Sequence, residues 1–230
     1  MTLLARLTSR NTAIGLALAM GLGAGAFAAA LTGRSDLPAS ARPDPQRFSV
    51  DASNTPGFPK IKGGDFNLID HHGNARTSRS PDGTFQLLFF GYSNCKAICS
   101  MALPNLAEAV DLLEGMNAAV TPVLITVDPK RDTVEELNRS VGTIHPRLIG
   151  LTGPQDRLDV AYKAFNLEKK FLFEHVDEGA VYSHGSFIYL LGPDGEFKTL
   201  FAPVISPVRI AEISAGYIAD SNAPSDKPAS

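Results

Sequence analysis

The apolar run Phe85-Gln86-Leu87-Leu88-Phe89-Phe90 leads directly into Gly91-Tyr92-Ser93-Asn94-Cys95-Lys96-Ala97-Ile98-Cys99, which holds both cysteines of the chain. A run of this kind reads as a buried strand. Met101 to Leu113, just beyond, reads as an amphipathic helix. The two thiols therefore fall in a strand-to-helix turn, where helix N-terminal amides and the macrodipole favour thiolate. Cys95 and Cys99 stand four positions apart, so on a helical turn they would share one face. That arrangement suits a disulfide, or the clasping of one soft metal ion.

The rest of the chain supplies a fold around this turn. Asp65 to Asp70 alternates as a strand does and meets turn residues at His71-His72-Gly73-Asn74, which predicts an N-terminal β-hairpin. Val120 to Val127 is a β-branched, buried strand. Asp132-Thr133-Val134-Glu135 reads as a capping box opening a helix to about Val141. Leu148 to Leu151 is a short strand, and Gln155 to Phe165 is a helix with Leu158, Ala161, Tyr162 and Phe165 on one side. Residues 167–182 mix charge and aromatics and read as an inserted hairpin or lid. Ser186 to Leu191 and Glu196 to Phe201 flank the turn Gly192-Pro193-Asp194-Gly195 as a hairpin, and Pro207 to Ala219 opens a helix with proline. Strands alternating with helices give an α/β protein, and the closing hairpin makes its sheet mixed. Two thiols after the first core strand point to a thioredoxin-like sheet flanked by helices.

The first 33 residues do not belong to that fold. Arg6 and Arg10 precede an uncharged run of 23 residues, 11–33, rich in Ala, Gly and Leu. Its length suits one membrane span, with residues 1–10 in the cytoplasm and the body outside. A cleaved signal peptide also fits, with Ala26-Phe27-Ala28 and Ala28-Ala29-Ala30 as cleavage sites. Either reading exports the body to a compartment where disulfides persist. Residues 34–60 carry five prolines and read as a semi-extended linker reaching at most roughly 80 Å. Residues 61–220 form one domain, about 160 residues and enough for a well-buried core, and 221–230 read as a polar, disordered tail. A net charge of −3 gives no basic footprint for nucleic acid.

A third donor would favour a metal role over simple oxidation, and imidazole suits copper. Of the five histidines, His184 draws attention because it stands just before a core strand, in a loop able to face the cysteine turn. His71 and His72 read as solvent-facing turn residues, and His145 and His175 as structural or exposed. His175 is a weak second candidate if the inserted segment folds over the site. Asp128, Arg131 and Asp132 read as turn and capping residues with an Arg–carboxylate contact.

At this point the chain resembles the Sco/SenC family, thioredoxin-fold copper proteins of cytochrome c oxidase assembly. The resemblance runs from about Gly63 to Tyr217. It is carried by Gly63-Gly64-Asp65-Phe66-Asn67-Leu68, by Phe90-Gly91-Tyr92-Ser93-Asn94-Cys95 with Cys99, and by Val127-Asp128-Pro129-Lys130-Arg131-Asp132-Thr133. His184 before Phe187-Ile188-Tyr189-Leu190, and Pro193-Asp194-Gly195, complete it. The resemblance implies that Cys95, Cys99 and His184 hold one copper ion, Cu(I) or Cu(II). It also implies a membrane-tethered factor that matures the copper A centre. Its partners would be the copper A subunit of cytochrome c oxidase or another copper chaperone. Its domain would face the periplasm from the inner membrane, or the mitochondrial intermembrane space. The family usually writes Cys-Pro-Asp-Val-Cys-Pro; here Lys96, Ala97 and Ile98 stand between the cysteines and Ser100 follows. Lys96 adds a positive charge and Ala97 removes a negative one, and both changes favour thiolate. The family usually has Asp before the histidine; here it is Ser183, with Gly185 after it.

Other functions share these residues. A structural disulfide between Cys95 and Cys99 would close so short a loop that it adds little to stability. A thiol–disulfide reductase, with Cys95 and Cys99 as its redox-active pair, would keep a client's copper-ligand cysteines reduced. A copper or redox sensor would signal through a membrane partner. A general thioredoxin-like enzyme fits less well, since three residues stand between the cysteines and no proline lies between Pro154 and Pro193.

Overall fold

The computed structural model describes residues 61–222 apart from 62, 81, 94–98 and 177–178, and of Cys99 and Ser100 only the backbone. All of the described residues lie in one compact unit within 45–230. The expected cytoplasmic segment, membrane anchor or signal peptide, linker, and the tail past Asn222 lie outside the described residues.

In chain order the described elements are β1 (Asn67–Asp70), β2 (Ala75–Thr77), β3 (Phe85–Gly91), α1 (Cys99–Gly115), β4 (Val120–Thr126), α2 (Val134–Ile144) and β5 (Ile149–Thr152). They continue with α3 (Gln155–Ala164), β6 (Lys169–His175), β7 (Gly179–His184), β8 (Ile188–Leu191), β9 (Phe197–Phe201) and α4 (Pro207–Asn222). Seven strands form one sheet in the order β2-β1-β5-β4-β3-β8-β9, and β6 pairs with β7 in a separate hairpin. The centre, β3-β4-β5, is parallel. Parallel neighbours need a crossover connection, and α1 and α2 supply the two that are required here. Towards the edges β1 joins β5 and β8 joins β3, both antiparallel. The result is the mixed, helix-flanked sheet expected from the sequence, with the N-terminal hairpin β1–β2 in place.

Every residue of β3 is buried, and successive side chains point to opposite faces of the sheet. Phe85, Leu87 and Phe89 pack with Leu106 and Val110 of α1 and Ile210 of α4. Leu88 and Phe90 pack with Leu158 and Tyr162 of α3 and with Phe165. Each such side chain contributes roughly 1.5–3 kcal/mol by leaving water, so β3 anchors both cores at once. Gln86, buried among them, donates its amide to the Ser78 carbonyl at 2.7 Å. Pro122 lies inside the central strand β4, one residue before the stretch 123–125 that pairs with β5.

Several boundaries differ from the expected ones, three of them in ways that change a residue's assignment. The N-cap of α2 is Thr133, whose hydroxyl accepts from the Glu136 amide at 3.2 Å, so the cap is one residue later than the box on Asp132. Thr133 does this work, which leaves Asp132 to turn inward. Helix α4 runs past Ala219 through Ser221 and Asn222, two residues assigned from sequence to the tail. The inserted hairpin extends to His184, which places that residue on a strand and not in a loop.

Candidate metal centre

Strands β3 and β4 end side by side. Gly91 pairs with Thr126, and the Val127 amide donates to the Gly91 carbonyl at 2.7 Å. In α/β sheets the carboxyl ends of parallel strands form the crevice where ligands bind. The turn leaving β3 begins with Tyr92 and Ser93, and α1 starts at Cys99. Cys95, Lys96, Ala97 and the Cys99 side chain lie outside the described residues. Among the described residues alone, no group of three His, Cys, Asp or Glu is arranged to hold a metal ion.

His184 is the final residue of β7, paired with Lys169. Its ring is half-buried and stands edge-on to Phe89 and Tyr92, with centroids 6.3 and 6.2 Å away. Phe89 lies near the end of β3 and Tyr92 stands three positions before Cys95, so the imidazole meets the entrance of the cysteine turn. His184 Nδ1 is 3.1 Å from the Gly185 carbonyl. A carbonyl only accepts, so Nδ1 carries a hydrogen, and Nε2 is the nitrogen left to ligate a metal. A neutral imidazole with one nitrogen tied to a carbonyl is the form that ligates metals. Two thiolates and such an imidazole are donor types that suit copper, so the residues named from the sequence fit that ion. Ser183, in the place of the family's usual Asp, is exposed and pairs with Lys170.

The other histidines lie elsewhere. His175 pairs with Gly179 at the far end of the hairpin, six residues along the strand and roughly 20 Å from His184. His71 accepts from the Gly150 amide through Nδ1 at 3.1 Å and is half-buried, while His72 is exposed. His145 is buried and bonds Asp111 at 3.1 Å, a structural role.

A polar network lies behind the turn. Asp132 is 1% exposed and accepts from the Ser93 amide at 3.1 Å, the Ser93 hydroxyl at 2.5 Å and the Thr126 hydroxyl at 2.6 Å. Burial raises its carboxyl above the ordinary range, against the opposing pull of those bonds. Thr126 Oγ1 in turn accepts from the Asp128 amide at 2.9 Å, and the Tyr162 hydroxyl donates to the Thr126 carbonyl at 2.7 Å. Asp128, 2% exposed, forms an ion pair with Arg131 Nε. The expected Arg–carboxylate contact is therefore present, but Asp132 buttresses the cysteine turn and does not cap a helix. One signal in the sequence pointed there: two carboxylates and an arginine directly follow a buried strand, at the sheet end where sites form. Tyr92 and Ser93 stood out only as part of the motif Phe90-Gly91-Tyr92-Ser93-Asn94-Cys95, with nothing to show their contacts.

Beside this network Lys169 Nζ lies 4.5 Å from the Tyr182 ring centroid and 5.8 Å from that of Tyr162. Burial lowers the Lys169 ammonium, and the Asp128 and Asp159 carboxylates oppose that shift. These contacts dock the hairpin against α3.

Sheet, turn and histidine define a thioredoxin-like α/β protein with a thiol-bearing loop after the carboxyl end of β3 and an imidazole beside the start of that loop. The chain belongs to the SCO1/SenC family, whose model matches residues 54–219. It is 37% identical over 151 residues to the human mitochondrial protein SCO2 homologue, an alignment covering 65% of this chain and 57% of that protein. The chain thus spans little more than half the length of that relative. Among solved structures, Arabidopsis thaliana ScoI with copper bound superposes with a TM-score of 0.62 at 30% identity, covering 70% of this chain and 98% of that one. Yeast Sco1 with copper bound gives a TM-score of 0.62 at 27% identity, over 72% and 92%.

Proposed function

We propose that this chain is a copper-binding assembly factor that holds one copper ion through Cys95, Cys99 and His184 and serves the copper A centre of cytochrome c oxidase. The observation that carries the reading is His184. Its imidazole stands against Tyr92 at the mouth of the cysteine turn, with Nδ1 3.1 Å from the Gly185 carbonyl. Copper-bound relatives of the same fold support it. The client is the copper A subunit or another copper chaperone. Residues 11–33 tether the protein to the inner membrane, and its domain faces the periplasm or the intermembrane space. Among the described residues no helix is long and apolar enough to cross a membrane, so the tether rests on the sequence of 11–33.

Copper stoichiometry of the reduced, full-length chain tests the site. One Cu(I) per chain is expected, and Cys95→Ala or Cys99→Ala abolishes binding. His184→Ala weakens binding and alters the Cu(II)–thiolate absorption. A reduced chain that takes no copper overturns the reading, and an unchanged spectrum in His184→Ala removes that residue from the site.

A further inference from the structure

The histidine of this site sits on an element that the main sheet does not hold. Strands β6 and β7 pair with each other and not with the seven-stranded sheet, so strand register does not fix His184 relative to the cysteine turn. Edge-to-face ring contacts such as Tyr92 with Tyr182, 6.2 Å between centroids, fill the gap but are weakly directional. Directional contacts come from the loop between β4 and α2.

We infer that Arg131 is a positioning residue that holds the histidine half of the copper site against the cysteine half; the inference rests on the function proposed above. Its guanidinium touches three separate parts of the fold. Nε donates to Asp128, a carboxylate buried at the end of β4. Nη2 donates to the carbonyl of Ala180 in β7, four positions before His184. The guanidinium carbon lies 5.4 Å from the centroid of Tyr92, three positions before Cys95. A planar fork with several donors can satisfy these partners together, and a lysine cannot.

Two further observations bear on this contact. Gly179, where β7 begins, has φ of +71°, and a Cβ there would meet Arg131 Nη1 at 2.6 Å. The hairpin's return strand is therefore built with a residue that lets the guanidinium approach. The next residue, Asp132, holds Ser93 on the cysteine side. Adjacent residues of one loop thus grip both halves of the site, Asp132 the turn and Arg131 the strand that ends on the imidazole.

Loosening Arg131 should free the imidazole more than the thiols. Thiolates suit Cu(I), whereas Cu(II) gains more from imidazole, so the two oxidation states separate the effect. The test compares full-length parent, Arg131→Ala, Arg131→Lys, Gly179→Ala, His184→Ala and the Arg131→Ala/His184→Ala double variant, each checked for folding by circular dichroism. In the metal-free reduced protein, imidazole ¹H–¹⁵N spectra should show the Nδ1–H signal of His184, assigned by its loss in His184→Ala. That signal should broaden or shift in both Arg131 variants and in Gly179→Ala. With copper as the probe, the Cu(II) dissociation constant should rise at least ~10-fold in these variants, against less than ~3-fold for Cu(I). The double variant should lose no more Cu(II) affinity than His184→Ala alone, because both changes remove one contact. A parental imidazole signal and Cu(II) spectrum in Arg131→Ala, or additive losses in the double variant, overturn the inference. Should Arg131→Ala not fold, Gly179→Ala decides by the same readouts. A parent that binds no copper defeats the function proposed above, while the imidazole spectra still decide on Arg131.

Discussion

Two buried aspartates carry opposite pH signatures. Burial alone would raise Asp70, but hydrogen bonds from the Asn74 amide, Arg76 and the His72 amide outweigh it and hold the carboxyl at about 2. Its contribution to stability is complete above the ordinary value of 3.8 and is lost as pH falls towards about 2. Asp132 is shifted the other way, by burial, so the fold binds its proton more tightly than the unfolded chain does. Stability therefore falls as pH rises from the ordinary carboxylate value through the raised one. Denaturant unfolding against pH should show Asp70→Asn flattening the acid limb below pH ~4 and Asp132→Asn flattening the decline above it. The same sign in both variants would contradict this account. Candidate residues stood out where the pattern is local: thiols in a turn, and a histidine placed before a core strand. The links between Asp132 and Ser93, or between Arg131 and Ala180, join residues 39 and 49 positions apart, which no local pattern encodes.

At the scale of elements, periodicity carried the reading furthest. The runs that became β3 and β4 are apolar and that of α3 repeats its apolar residues at helical spacing, and the ends of all three fall within a residue or two of the expected ones. The cap of α2 was less legible because Asp132 and Thr133 are both good N-caps and adjacent. Tertiary demand decided between them, since Asp132 has buried donors to satisfy. Thr133→Ala should therefore cost about 1 kcal/mol, the usual loss of a cap, with Cu(II) absorption unchanged. Asp132→Ala, which leaves the Ser93 and Thr126 donors unmatched, should cost roughly 1–3 kcal/mol and disturb the copper spectrum as well. Denaturation midpoints and absorption on the two variants check this; equal losses with parental spectra in both would return Asp132 to a capping role.

For the whole molecule, the positive charges at Arg6 and Arg10 before an uncharged run set the expected topology. Protease added to intact spheroplasts should degrade the folded domain; protection until lysis would reverse that orientation. Of the described apolar side chains of the β6–β7 pair, only Tyr182 packs against the cores of the seven-stranded sheet, and Phe171, Leu172 and Phe173 are each about half exposed. The molecule therefore has two levels of cohesion. Amides of β3 and β4 should exchange with deuterium only through global unfolding. Those of β6 and β7 should exchange through an opening that leaves the sheet intact, and far sooner. In the proposed copper site, opening that one hairpin would part the imidazole from the thiols and let the ion go while the seven-stranded sheet stays folded.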